Sequence, residues 1–132
     1  MALGIDVKLT IDDIRKEIVE TVEDGEVKAA IEEGIVPGGG WTYLNASKLL
    51  DKGIIKSALL APLKAILKNA GKDSDAIIEC LLSNPEYGYD ARDSVYCNLL
   101  KEGIIDPAKV ARTALENAAS IATMFSLIEC VI

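Results

Sequence analysis

The sequence contains no histidine. Ser-His and Cys-His nucleophile pairs are therefore excluded, and so is any His-ligated metal. Aromatic residues are scarce, with one Trp, four Tyr and one Phe. A core must therefore be built from Ile, Leu, Val and Ala, a composition that favours helices over a sandwich or barrel. Basic residues are outnumbered, 14 Lys and Arg against 21 Asp and Glu, and they are scattered singly among the acids. Nucleic-acid binding needs a basic patch to neutralise phosphates, so it is not expected, and the same holds for an anionic membrane surface. No run reaches the roughly 18–20 apolar residues of a membrane span, and the start, MALGIDVKLT, lacks the features of a signal peptide. A cytoplasmic location is expected. Cys80, Cys97 and Cys130 are odd in number and widely spaced, which gives neither a disulfide framework nor a zinc pattern and points to buried free thiols.

What is present suits one mainly helical domain. Half of the 132 residues are hydrophobic, enough for a real core. After a short strand at 3–9, Thr10 with Asp12 and Asp13 opens a helix on which Ile14, Ile18 and Val22 share one face. That helix is expected to end or bend near Gly25, and a second short helix, or a continuation, runs from Glu26 to Glu33, stopped by Gly34. Pro37 followed by Gly38-Gly39-Gly40 must be a loop. Helices are expected at Trp41–Lys52 and at Ile54–Asn69. The second carries a stripe of Ile55, Leu59, Leu63, Ile66 and Leu67, and a Pro62 that should kink it. Asp73 or Ser74 caps a short helix through Leu82, with Ile77, Ile78, Leu81 and Leu82 inward. The stretch Asn84–Asp90 suggests a small hairpin, Ser94–Lys101 reads as a helix, and Asp106-Pro107 reads as N-cap and first residue of a long helix. That helix aligns Val110, Ala114, Ala118, Ile121 and Phe125, and the tail from Leu127 to Ile132 reads as a strand.

Four segments stand out in order: EEGIVPGGG (32–40), YGYDA (87–91), GIIDPAKV (103–110) and ALENAASIA (114–122), with ECVI closing the chain. Together they resemble the C-terminal half of the nucleotide-binding equatorial domain of group I, GroEL-type chaperonins. The resemblance covers 26–132 and leaves 1–25 as a segment without a match. It implies a helical bundle with a small β-hairpin and a C-terminal strand, and a nucleotide site for ATP or ADP. In the family the triglycine loop lies against the nucleotide, which assigns Gly38, Gly39 and Gly40 to the site. Gly39 matches the residue whose backbone meets the ligand. A plain connector is the alternative.

Asp106 either caps its helix or accepts hydrogen bonds from the ribose hydroxyls, and the resemblance implies the second role. The family holds adenine with a stretch matching Asp90, Ala91 and Arg92, commonly Asn-Ala-Ala. An ionised Asp accepts but does not donate, so it does not copy an Asn amide, and a solvated turn is the competing reading. Asp24 matches the acid that orients the attacking water in hydrolysis, against a simple surface role.

The phosphate- and magnesium-binding loops of the family, with their Gly-Asp-Gly-Thr-Thr type motif, have no counterpart here, nor is there a GxxxxGK[ST] loop. Phosphoryl transfer depends on positioning and charge neutralisation, so self-sufficient hydrolysis is not expected, and magnesium binds only if a partner supplies the phosphate site. Apolar faces that pack on the other half of a chaperonin would be left uncovered. The expected partners are a second copy or chaperonin subunits, with unfolded proteins handled only within a larger assembly. The N-terminal stripe of Ile14, Ile18 and Val22 is a candidate cover for one such face.

Overall fold

The structure is a computed structural model and describes residues 24–129. The expected strand at 3–9 and helix from Thr10 lie outside the described residues, as does Cys130. The chain forms two compact units. One holds Val36–Asp106; the other holds the segments on either side, up to Ile35 and from Pro107.

The Val36–Asp106 unit contains the core. Helix α2 (Trp41–Ser47) leads by a turn to α3 (Ile54–Asn69), and α4 (Ser74–Ser83) packs back on α3. Leu59, Leu63 and Leu67 recur every four residues, so one face of α3 is buried; they and Leu44, Ile77, Ile78 and Leu81 leave almost no surface to water. Six of these seven form one cluster, and Leu60 and Tyr89 pack against it. Each fully buried Leu or Ile contributes about 1.5–3 kcal/mol of transfer free energy. Three residues of the expected stripes do not join: Ile55 is 69 % exposed, and Leu82 and Ile66 are 39 and 38 % exposed.

Local signals fix the helix ends. The Asp73 carboxylate accepts the backbone N–H of Asp75 and Ala76 at 3.2 and 3.3 Å, an N-cap for α4. Gly71, at φ 70°, lets the chain leave α3. Helix α3 runs through Pro62 without ending there. Helix α2 stops at Ser47, short of the expected Lys52. The Ser47 hydroxyl turns back to donate to the Leu44 carbonyl, and the chain leaves through turns to Leu50.

Ser94–Lys101 is not a helix. Strand β2 (Gly88–Asp90) pairs antiparallel with β3 (Val95–Cys97), so the hairpin takes its second strand from that segment. Val, Tyr and Cys favour an extended, half-buried strand. Across the pair, Tyr89 and Tyr96 meet edge to face with centroids 5.1 Å apart, a contact a helix would forfeit. Gly88 is required here, because a Cβ would strike the buried Leu99 side chain.

In the flanking unit, α1 (Gly25–Glu33) ends at Gly34, φ 85°, as expected. It begins at Gly25, one residue before the expected start. Asp24 is the N-cap, accepting the N–H of Glu26 at 2.8 Å and of Val27 at 3.3 Å. Helix α5 (Ala108–Ser126) packs on α1. The chain passes between the units through β1 (Ile35–Pro37) and returns through β4 (Ile105–Pro107), which pair with each other. The stretch before the triglycine is therefore a short strand rather than a plain loop. After α5, Leu127–Glu129 is turn and coil, not strand.

The Asp106-Pro107 reading shifts by one residue. Helix α5 starts at Ala108, Pro107 occupies the N-cap position, and no side chain caps the helix. The first N–H of the helix, on Ala108, donates instead to the Gly34 carbonyl at 3.0 Å. Strand pairing carries the chain extended one residue further than the local signal implies. Asp106 is thereby released from the capping role.

Candidate functional site

The triglycine segment has three neighbourhoods, and each glycine answers a different constraint. The Gly38 N–H donates to the Ile104 carbonyl at 2.9 Å, continuing the β1–β4 pairing. A Cβ on Gly38 would lie 3.3 Å from the Asp106 carboxyl, so its absence makes room for that carboxylate. Gly40, at φ 80°, lies against α3, where a Cβ would be 2.9 Å from the Leu63 nitrogen. Gly39, at φ 64°, has only the Ile104 side chain nearby, at 4.0 Å. Thus Gly38 and Gly40 serve packing, and Gly39 presents open backbone.

Gly39 lines a shallow cavity of about 390 Å³ within the Val36–Asp106 unit. Across it lies the β2–β3 turn, with Asp90, Ala91, Arg92 and Asp93. Ile66 of α3 and Tyr89 give it an apolar wall, and the Glu102-Gly103-Ile104 turn closes another side. Gly39 and the 90–92 turn are about fifty positions apart in sequence, and the fold brings them to one hollow. Asp106 does not line it; its carboxyl lies over Gly38, the neighbour of Gly39. Asp106 is exposed, and its charge helps raise the titration of Tyr43, after the larger effect of burial. Asp24 belongs to the other unit, where its carboxylate caps α1.

The polar groups around the hollow are largely occupied. Asp90 is buried, and one carboxylate oxygen accepts the N–H of Arg92 at 2.8 Å and of Asp93 at 3.2 Å. This is an Asx-type turn, in which the side chain holds the loop shape. The turn also contains Ser94 in a left-handed conformation, φ 60°. Arg92 forks onto Asp93, with Nε and Nη2 at 3.2 and 3.3 Å from the two carboxylate oxygens. Asp90, Asp93 and Glu102 therefore outnumber the single cation Arg92. Cys97, at the end of β3, senses this field: burial pushes its thiol up first, and Asp90, Glu102 and Asp93 push it further. Cys80 and Cys97 are free and half-buried rather than fully buried.

Among the lining residues, Ile66, Tyr89, Asp93, Glu102, Gly103 and Ile104 were not assigned to a site from sequence. Tyr89 lies within the YGYDA segment, and Gly103 and Ile104 within GIIDPAKV, while Asp93 and Glu102 are close neighbours of those segments, so they were within reach. Ile66 reads as an ordinary member of a helix stripe. Among the described residues no group of acids or cysteines is arranged to hold a metal ion, and no helix is long and apolar enough to cross a membrane.

Helices with two short strand pairs are the architecture of part of a chaperonin equatorial domain. The chain matches the model of the TCP-1/cpn60 chaperonin family over residues 5–132, and it belongs to that family. Among solved structures it is similar to a group III chaperonin in the open state, with 24 % identity and a TM-score of 0.69. The match covers 80 % of this chain and 25 % of that one, so the likeness concerns the fold, and the chain spans about a quarter of that chaperonin's length.

Proposed function

We propose that this chain is the nucleoside-facing portion of a chaperonin equatorial domain, belonging to the group I branch on its four ordered segments, and that it does not hydrolyse ATP by itself. One observation carries the reading: Gly39, with open backbone, and the 90–92 turn face each other across one hollow. A nucleoside would enter there, its ribose reaching toward Asp106 and its base toward Ala91. The Asp90 carboxylate shapes the turn rather than reading the base. Asp24 acts as a helix cap in this chain. Hydrolysis would need a phosphate site and magnesium supplied by a partner, because the acids around the hollow disfavour a polyphosphate. The free thiols Cys80 and Cys97 suit a reducing, cytoplasmic setting.

A second reading, a non-catalytic scaffold that assembles with its own copies or with complete chaperonin subunits, is favoured by the same acidic rim and by exposed apolar residues. Leu49 is 87 % exposed and Ile54 is 89 % exposed in the Val36–Asp106 unit.

Thermal denaturation with ADP, ATP or adenosine separates the two. A ligand that binds only the native chain, at 100 times its dissociation constant, adds about 2.7 kcal/mol. Adenosine should stabilise at least as well as ATP when magnesium is omitted, and Asp106→Ala should weaken that effect more than Asp24→Ala does. No shift with any of the three at millimolar concentration rejects nucleoside binding and leaves the scaffold. Sizing with light scattering then tests assembly, which a monodisperse monomer at high concentration would refute.

A further inference from the structure

Charge is segregated along this chain. From Gly34 to Lys72 the only acid is Asp51, against six lysines, so this stretch carries +5 while the whole chain carries −7. Its lysines are also largely uncommitted. Elsewhere Arg92, Lys109 and Arg112 are each held by a carboxylate, whereas within the stretch only Lys64 is, by Asp75. Lys48, Lys52 and Lys56 have no acid partner among the described residues, and the Lys56 ammonium donates to the Asp51 backbone carbonyl at 3.3 Å. These three lysines flank the turn from α2 to α3. Between them stand Leu49, Ile54 and Ile55, which are 87, 89 and 69 % exposed. Further along α3, Ala58, Ala61 and Ala65 lie 4, 7 and 11 residues beyond Ile54, so they share its outer face, opposite the buried Leu59, Leu63 and Leu67.

We infer that this turn, with the outer face of α3 behind it, docks on an anionic lipid surface. Each feature answers one part of such a surface. The three lysines meet phosphate headgroups, each worth about fivefold in partition, and their alkyl stems reach past the apolar side chains to do so. Leu49, Ile54 and Ile55 enter the acyl boundary, as the apolar side of an interfacial helix does. A soluble polyanion would satisfy the lysines and leave the three apolar side chains in water. A second copy meeting this face with its own would set lysine against lysine. Leu49 and Ile54 protrude from a turn, which a fluid lipid boundary accommodates without a preformed groove. The net charge of the chain, which argues against a membrane surface, acts weakly here. At about 0.1 M salt, acids farther than about 10 Å from the headgroups are largely screened.

Co-sedimentation of the complete chain with vesicles, in about 0.1 M salt, tests this. Vesicles of phosphatidylglycerol and phosphatidylcholine in equal parts should bind the chain; phosphatidylcholine alone should not. Lys52→Gln should lower the partition coefficient about fivefold, and the triple change Lys48→Gln, Lys52→Gln and Lys56→Gln about a hundredfold. Leu49→Ser combined with Ile54→Ser should lower it at least about tenfold while leaving the urea transition in place, since both side chains are exposed. Lys101→Gln should change nothing: Leu100 beside it shares a hollow with Trp41, at the other end of α2. No binding to the charged vesicles overturns the inference, as does equal binding to both kinds. Binding that needs the lysines but not Leu49 and Ile54 marks a general polyanion site and overturns it too. So does self-association, followed by light scattering, that these substitutions abolish: the face then belongs to a second copy.

Discussion

The two units are stabilised by different physics. In Val36–Asp106, a cluster of Leu and Ile from three helices excludes water, and polar groups serve mainly as caps and turn formers. Among the described residues of the flanking unit only Ala29 is buried, and α1 and α5 are joined by surface ion pairs, Lys109 to Glu32 and Arg112 to Glu33, with Arg112 also paired to Glu116 along α5. Burial is insensitive to salt and mild acid. Exposed ion pairs are modest and depend on both. One chain therefore carries a unit held by apolar burial and a helix pair whose cohesion varies with the solution.

The sharpest way to break this contrast is to cut into the core. Leu67→Ala removes a side chain with no surface exposed, and should cost about 2–5 kcal/mol in urea denaturation. Val110→Ala in α5 should cost under about 1 kcal/mol, since that side chain is 43 % exposed. Equal costs would mean that the two units share one core. The triglycine supplies the next largest effect. Gly40→Ala meets both a left-handed backbone and the α3 main chain, and should cost about 1–3 kcal/mol. Gly39→Ala meets the backbone strain alone, and should cost about 1 kcal/mol while altering the hollow. Circular dichroism melts compare them directly.

A smaller, paired effect concerns the caps. Asp73→Ala and Asp24→Ala each remove a carboxylate that accepts two backbone N–H groups, worth about 1 kcal/mol. The first should lower global stability. The second should raise only the local exchange of α1 if its helix pair opens independently. Loss of global stability from Asp24→Ala would show that the units unfold together.

The smallest effect is the pH and salt response. Hydrogen bonding to Arg112 holds the Glu33 carboxyl below the ordinary carboxylate range; desolvation opposes it, and the charges of Arg112 and Lys109 add smaller support. A depressed folded-state value means that its contribution is present above the unfolded value and is lost as pH falls through the folded one. Exchange protection at the α1–α5 contact should therefore weaken as the solution is acidified through and below the usual Glu range, and with added salt. In Arg112→Ala this response should disappear while α3 and α4 stay unchanged. An identical acid response in the variant would place the sensitivity elsewhere.

Legibility in the sequence followed the same division. Helix α3 was readable to its ends, because Gly53 and Ala70-Gly71 bracket a four-residue apolar period. The Asp73 cap and the Gly34 stop were readable for the same reason: a short polar side chain or a Cβ-free residue acts on its own neighbours. Ser94–Lys101 was misread because nothing within it announces a partner, and the strand Val95–Cys97 exists through pairing with Gly88–Asp90. Asp106 was misread as a cap because the Asp-Pro signal is local, whereas β1, seventy residues earlier, holds that stretch extended. For the hollow, the glycines marked a place of close backbone approach and the family resemblance singled out Gly39, but nothing local showed that Ile66 of α3 would wall the same cavity.

The residues alone determined a His-free, acidic, largely helical chain of the chaperonin type, with its helix boundaries written in caps and glycines, since those choices depend on groups within a turn of one another. Tertiary structure decided which strand completed the hairpin, that Gly38 and Gly40 are taken up by packing, and that Asp106 lies over Gly38 instead of capping α5. Each of those outcomes is set by contacts between segments distant in the chain, whose favourable pairing outweighs local preference and leaves no mark in either segment by itself.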